Sequence, residues 1–314
     1  MYGRIPSLYE ANFWVSYYLP ALGFTLLAYR LLARFQHLPS WLPDWFHSLT
    51  VRGDLWGLEI AAAIALAIAI LLTKVHRSVL AFLKGEGRFN PWRLVGRIEH
   101  INHQQLLHEV DLLEERMAAY QAQGETPPLD FLKQRMRTLL FAEQRYPERH
   151  LRLQPTAFGN VLRAFEAYPR IVYNMDGLSI WSRLLAVLPN AVIDRLDRAK
   201  SQVDFWLNVW ILSLVILLSY AANTLLSLRI HWEWLPVLLI GLALHSSWQA
   251  RMAAVDWGHH VKAAFDVYRH ELRRLSGYGA PRDPAAEREF WGQYSEAVMF
   301  RHPSMPAEDP APEE

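Results

Sequence analysis

The chain has 314 residues, 52% of them hydrophobic and 20% charged, with 13 Trp, 13 Tyr, 14 Phe, no Cys and a formal net charge of +1. The absence of Cys excludes a disulfide framework, a thiolate nucleophile and Cys-ligated zinc, and the near-zero charge excludes a nucleic-acid binder that works through bulk positive charge. A mean hydropathy of +0.01 averages strongly apolar blocks with strongly polar ones, which fits neither a disordered nor a collagen-like chain.

Crossing a bilayer takes roughly 20 mostly apolar residues. The first window that qualifies is 11–29, followed by Arg30 and Arg34. It has no basic leader and no small-x-small cleavage site, so it reads as a span rather than a signal peptide. The second window, 55–73, is rich in Ala and carries one charge, Glu59. Small side chains let helices approach closely, which predicts a place inside a bundle or at an oligomer interface.

The region that follows shows no strand-like alternation. Ile98, Ile101, Leu106, Val110 and Leu113 recur at helical spacing over 94–120, and Gly124 with Pro127 and Pro128 should end that helix. A second helix is expected over 129–144, then a linker between Pro147 and Pro155, then a compact stretch over 156–188. From Asn190 the helical pattern resumes and meets no breaker before the third window, 205–228. A single helix over 190–228 would be about 58 Å long, so it should project beyond a hydrocarbon core of about 30 Å. The fourth window, 234–250, is shorter, carries His245 and continues as a helix towards Gly277. Asp283 followed by Pro284 reads as an N-cap with Pro in the first turn of a last helix, ending near Phe300. Residues 303–314 are Pro-rich and acidic, too poor in apolar groups to fold.

The predicted fold is therefore all-α and integral to a membrane, with four transmembrane helices in two hairpins and a helical cytoplasmic domain. Its parts are a first hairpin (1–75), the cytoplasmic domain (76–204), a second hairpin (205–250), a cytoplasmic helical extension (251–300) and a disordered acidic tail (301–314). Lys74, Arg77, Lys84, Arg88, Arg93 and Arg97 follow the second window, Arg195, Arg198 and Lys200 precede the third, and Arg251, Lys262 and Arg269 follow the fourth. The two short loops hold Arg30, Arg34, Arg52 and Arg229. This bias puts both termini and the middle region on the cytoplasmic side, with Arg30 and Arg34 against it.

The stretch 155–184 resembles a pattern of uncharacterised bacterial multi-pass membrane proteins, P-T-x-x-G-N-x-L-R-A-x-E-x-Y-P followed by Y-x-x-D and W-x-R-L. The matching positions include Pro155, Thr156, Gly159, Asn160, Arg163, Glu166, Tyr168, Pro169, Tyr173, Asp176, Trp181 and Arg183. The resemblance implies a multi-pass protein of the bacterial inner membrane and carries no activity with it.

Two readings of that stretch stay open. Arg163, Glu166, Arg170, Tyr173, Asp176, Trp181 and Arg183 could form a ligand site, in which guanidinium forks hold an anion such as a nucleotide or oligonucleotide phosphate and aromatic faces stack on it. The same residues could instead be a buried polar network that fixes one arrangement of the chain. Glu59 could line an ion path or sit at the outer headgroups. Asn208, Ser219, Asn223 and Ser227 fall on one stripe of the third window, and His245 in the fourth could join them; a polar stripe suits either a pore or helix-to-helix bonding. His100 with His103, and His259 with His260, do not repeat in the boxes of membrane di-iron enzymes, and no Walker loop, nucleophile elbow or dinucleotide fingerprint is present. No catalytic residue, metal ligand or cofactor is assigned.

The function expected from these features is an oligomeric ion-conducting channel gated by its cytoplasmic helices, a shape that would also suit a membrane effector of anti-phage defence. The alternative is a non-conducting membrane scaffold that anchors a cytoplasmic partner protein. In either case the expected partners are the lipid bilayer and further copies of the chain.

Overall fold

The computed structural model describes residues 10–34, 55–86, 90, 92–227 and 234–300. Among them every regular element is helical and there is no strand. Helix α1 is α-helical over Ala11–Phe13 and Leu19–Arg34, with a π-helical turn at Trp14–Tyr18 between. There follow α2 (Leu55–Leu83), α3 (Trp92–Gln123), α4 (Leu129–Arg145), α5 (Ala157–Tyr173), α6 (Gly177–Val187), α7 (Asn190–Ser227), α8 (Trp234–Leu275) and α9 (Pro284–Phe300). The tail, the two short loops with Arg52 and Arg229, and Arg88 lie outside the described residues, as do the side chains of Arg30, Arg34, Arg93, Asn223 and Ser227.

Local chemistry explains the boundaries. The Thr156 hydroxyl accepts from the Gly159 N–H at 3.0 Å and caps α5; Asp176 caps α6 in the same way from Ser179 at 2.9 Å. Between those two helices Asn174 takes the left-handed conformation, φ 58°, that a short polar side chain tolerates. Asp283 Oδ1 accepts from the Ala286 N–H at 2.8 Å with Pro284 at the first helical position, as the sequence predicts. The chain from Asn190 runs unbroken for 38 residues, again as expected.

The chain divides into two compact units. A polar unit comprises the described residues within Leu80–Leu196 and Ala254–Glu314; an apolar unit comprises those within Gly3–Val79 and Asp197–Ala253. Helices α2, α7 and α8 contribute residues to both.

In the apolar unit, α1 meets α2 through Phe13, Tyr17, Ala21, Ala65, Ala69 and Leu72, with Leu212 of α7 alongside. Ala61, Ala65 and Ala69 recur at four-residue spacing on one buried face of α2, so the helix backbones can approach closely. A second cluster joins Tyr220, Leu235 and Leu239 to Phe24, Leu27, Ile216 and Leu217. Tyr17 and Asp204 share one level, where Trp206 also packs on His245, while Phe24, Ile216 and Leu239 share the other. Within these segments α1 and α7 therefore run the same way and α8 runs opposite.

Among the described residues two helical stretches, Glu59–Leu83 and Asn190–Ala222, each contain an 18-residue window long and apolar enough to cross a membrane, with mean hydropathies of 1.8 and 1.9. Only 33% of each window is buried, where the core helix of a water-soluble protein would be mostly buried. Two such helices are a weak pointer to a membrane protein, against the four windows read from the sequence. The π turn divides the first window. The fourth is short, and His245, Ser246, Ser247 and Gln249 dilute it before Arg251.

In the polar unit, α5 lies at the centre with most of its length buried. Phe165 packs edge-on against Trp257 at 5.1 Å, and Trp181 of α6 tilts against Phe265 at 5.8 Å. Gly258 lets α8 approach α5 so closely that an added Cβ would stand 2.7 Å from a Phe165 ring carbon.

Candidate functional site

The most concentrated polar chemistry in the apolar unit gathers on Asp204, near the start of the apolar run of α7. Its Oδ2 accepts from the Lys200 ammonium at 2.6 Å, one turn earlier on the same helix, and from the Tyr17 hydroxyl of α1 at 2.9 Å. Its Oδ1 lies 3.3 Å from His76 Nε2 of α2, and that nitrogen is buried without a hydrogen-bond partner. Tyr17 and His76 also meet as rings, 6.0 Å apart at 70°. Tyr17 is 0%, Asp204 2%, His76 5% and Lys200 5% exposed. Burying a carboxylate and an ammonium is tolerable only as such a bonded pair, and unpaired either would cost several kcal/mol, about 3–5.

A second set of bonds fixes the cluster to α1. An α-helix would have the N–H of residue 20 donate to the Ser16 carbonyl, but residue 20 is Pro and has no N–H. The helix widens into its π turn there, and Asn208 Nδ2 donates to the Ser16 carbonyl at 2.8 Å. Ser16 Oγ in turn donates to the Ser201 carbonyl at 2.9 Å. Turns of this kind recur at functional sites, and this one carries Ser16 and Tyr17.

Of the pore candidates whose side chains are described, Asn208 alone joins this cluster. Ser219 is exposed and donates to its own helix at the Val215 carbonyl, 2.8 Å away. His245 is exposed, contacts Gln249 and packs against Trp206 and Trp248. Asn223 and Ser227 lie on α7, their side chains outside the described residues. Glu59 is exposed on α2, with no ion pair or hydrogen bond among the described residues.

The residues of the 155–184 motif serve several separate contacts. Glu166 accepts from the Lys84 ammonium at 2.8 and 3.0 Å, both side chains 8% exposed. Tyr173 and Tyr168 both donate to Asp266 Oδ1, at 2.7 and 2.8 Å, and the Arg269 guanidinium lies over the Tyr173 ring at 4.3 Å. Burial, followed by the bond to Asp266, pushes the Tyr173 hydroxyl up to about 12 and raises Tyr168 as well. Asp176 caps α6, Trp181 is buried, and Arg183 is exposed and donates to the Ser179 carbonyl. Arg170 is exposed; the Nε of Arg163 is buried without a hydrogen-bond partner.

A separate cavity of about 330 Å³ opens between α3, α4, α5 and α8 of the polar unit, lined mainly by apolar side chains with His103, Tyr168 and Lys262 among them. Burial pulls His103 below its usual range. Among the described residues no group of three or more His, Asp or Glu side chains is placed to hold a metal ion.

Sequence reasoning missed Tyr17, His76 and Asp204, and it used Lys200 only as a flank charge. The available signal was Lys200 and Asp204 at four-residue spacing directly before an apolar run. No family model, curated protein or solved structure matches the chain.

Proposed function

We propose that the chain is a four-span membrane protein with both termini cytoplasmic, which assembles from several copies into an ion-conducting channel. The observation that carries this reading is Glu59. It lies exposed, with no partner among the described residues, on a face of α2 that continues through Ala63 and Ala67, and the protomer's own packing uses the opposite Ala face. An ionisable side chain on an apolar helix is costly unless it meets water or a partner. A polar path between copies supplies both.

The exposed surface of the apolar unit supports the membrane part. Leu71, Leu218, Leu225, Trp234, Val237 and Leu244 are each 60% exposed or more, which suits lipid and not water. The shared level of Tyr17, Asp204 and His245 is also the level at which the charge bias puts the cytoplasmic ends of the first, third and fourth windows. The protomer interior is an unsuitable path, because Asn208, Ser213 and Ser246 there are all hydrogen-bonded.

For gating, Arg163 keeps a buried, unpartnered Nε that an anionic ligand such as a nucleotide phosphate would satisfy. The anti-phage subclass rests on architecture alone, and a test is phage plating on cells with and without the protein. Current through planar bilayers holding the purified protein tests conduction. Discrete steps whose amplitude changes in Glu59→Gln are expected; steps indifferent to that change would remove Glu59 from the path.

One observation favours the scaffold alternative. Leu129, Leu132, Met136 and Leu140 form an exposed apolar stripe along α4. Leu129→Glu with Met136→Glu should abolish partner capture if the stripe is a docking face, while leaving any current unchanged.

A further inference from the structure

We propose that the Asp204 carboxylate is a proton-operated exchange site, at which a proton taken up by His76 replaces Lys200 as its cationic partner. The inference deepens the conduction reading by adding its regulation, and it depends on that reading only where current is the readout.

One buried carboxylate is offered two basic side chains from different helices. Lys200 holds Oδ2 at 2.6 Å from within α7, and His76 of α2 stands 3.3 Å from Oδ1 without a hydrogen bond. The unused position is therefore specific: it is Nε2 of a ring that is 5% exposed and has no other acceptor or donor for that nitrogen. A proton on Nε2 puts a cation beside Oδ1, and a small turn of the ring then makes the approach a charge-assisted hydrogen bond. It also leaves two cations on one anion in a dry site, where an unmatched charge is strongly penalised. Lys200 is the partner able to leave, because its four-methylene stem lets the ammonium swing along the helix towards water. The balance is simple: one proton enters from water, His76 becomes imidazolium, Lys200 stays an ammonium and no covalent bond changes.

The other groups facing the site do not supply this charge. Tyr17 of α1 contributes a hydroxyl donor to Oδ2, and Asn208 is committed to the Ser16 carbonyl. On α8, His245 packs on Trp206 and Arg251 has a buried Nε, and neither hydrogen-bonds nor ion-pairs with the cluster. The exchange moves a bond from within α7 to between α7 and α2. Protonation thus changes which helices are fastened together.

The test is titration of the His76 ring in the full chain, carbon-13-labelled at His and held in detergent micelles, with the resonance assigned by its absence from His76→Gln. The ring is expected to titrate. Lys200→Gln removes the competing cation and should raise the midpoint by about one to two pH units, and Asp204→Asn should lower it by a similar amount. A ring that stays neutral down to about pH 4, well below the ordinary His value, overturns the proposal, and so does a midpoint indifferent to Lys200→Gln. If Asp204→Asn does not fold, the Lys200→Gln comparison decides alone. Bilayer currents separate the two readings. A titrating His76 in a protein that never conducts keeps the proton site and ends the channel reading. Currents whose pH dependence survives in His76→Gln, beside a ring that does not titrate, do the reverse.

Discussion

Replacing Lys84 by Met should unfold the polar unit far more readily than the loss of one surface charge would. The Lys84 ammonium reaches both oxygens of Glu166, at 2.8 and 3.0 Å, and each side chain is 8% exposed. Lys84 sits just beyond α2, beside the Leu83 carbonyl that accepts from Thr156 Oγ and the Gly85 that stands against Pro155. The pair therefore ties the end of α2 to the middle of α5. Removing one member leaves a buried charge without its partner, at a cost of about 3–5 kcal/mol. For a unit of this size each kcal/mol moves the midpoint by about 2–4 °C, so the loss should be of order 6–20 °C. Removing both members, as Lys84→Met with Glu166→Leu, leaves no orphan charge and should return most of that loss. The assay is thermal unfolding of the detergent-solubilised chain, followed by near-ultraviolet circular dichroism. A single substitution that costs less than about 1 kcal/mol, the range of an exposed pair, would refute the burial reasoning. A double variant as unstable as the single one would refute it equally.

Asn208→Leu should cost about 1–2 kcal/mol by leaving the Ser16 carbonyl without its amide donor, and the same change beside Pro20→Ala, which restores a backbone N–H, should cost less; a thermal double-mutant cycle measures the difference. The Tyr173 hydroxyl, raised to about 12, favours the fold fully below pH 10 or so and stops doing so as pH climbs through about 12, so Tyr173→Phe should flatten the alkaline limb of the stability profile in that window. Gly258→Ala should destabilise by about 1–3 kcal/mol because its methyl would collide with the Phe165 ring, and adding Phe165→Leu should recover part of the loss in the same melting assay.

The helices were largely legible because their signals are local. Asp283 with Pro284, the run from Asn190 without a breaker, and Gly124 before Pro127 each name a helix end from neighbouring residues alone. The close packing of α2 was legible in its Ala content, but not which of its alanines would pack, since Ala63 and Ala67 recur at the same spacing as Ala61, Ala65 and Ala69 and stay exposed. The Asp204 cluster was not legible, because Tyr17 and His76 lie more than a hundred residues from Asp204 along the chain and each member has an innocent local reading. Lys200 looks like a flank charge, Tyr17 like an interfacial aromatic and His76 like one of several His after a span. Only helix packing brings them to one carboxylate. The motif at 155–184 shows the converse. Its Arg, Glu and Tyr residues look like one site on paper, yet Glu166 turns to Lys84, Tyr173 to Asp266 and Asp176 to its own helix.

Between residues 61 and 69 alternate positions of α2 are alanine, so that methyl groups lie on both its packed face, at Ala61, Ala65 and Ala69, and its outer face, at Ala63 and Ala67. The helix is in effect a thin partition. Anything seated on its outer side lies one backbone and two methyl layers from the aromatic rings of α1. Such a wall has little side-chain padding to absorb a displacement. Between Ala61 and Ala69 the path from the outer side of α2 to the rings of α1 therefore crosses less side-chain bulk than it does at Ile64 or Ile70, which stand out from the same helix.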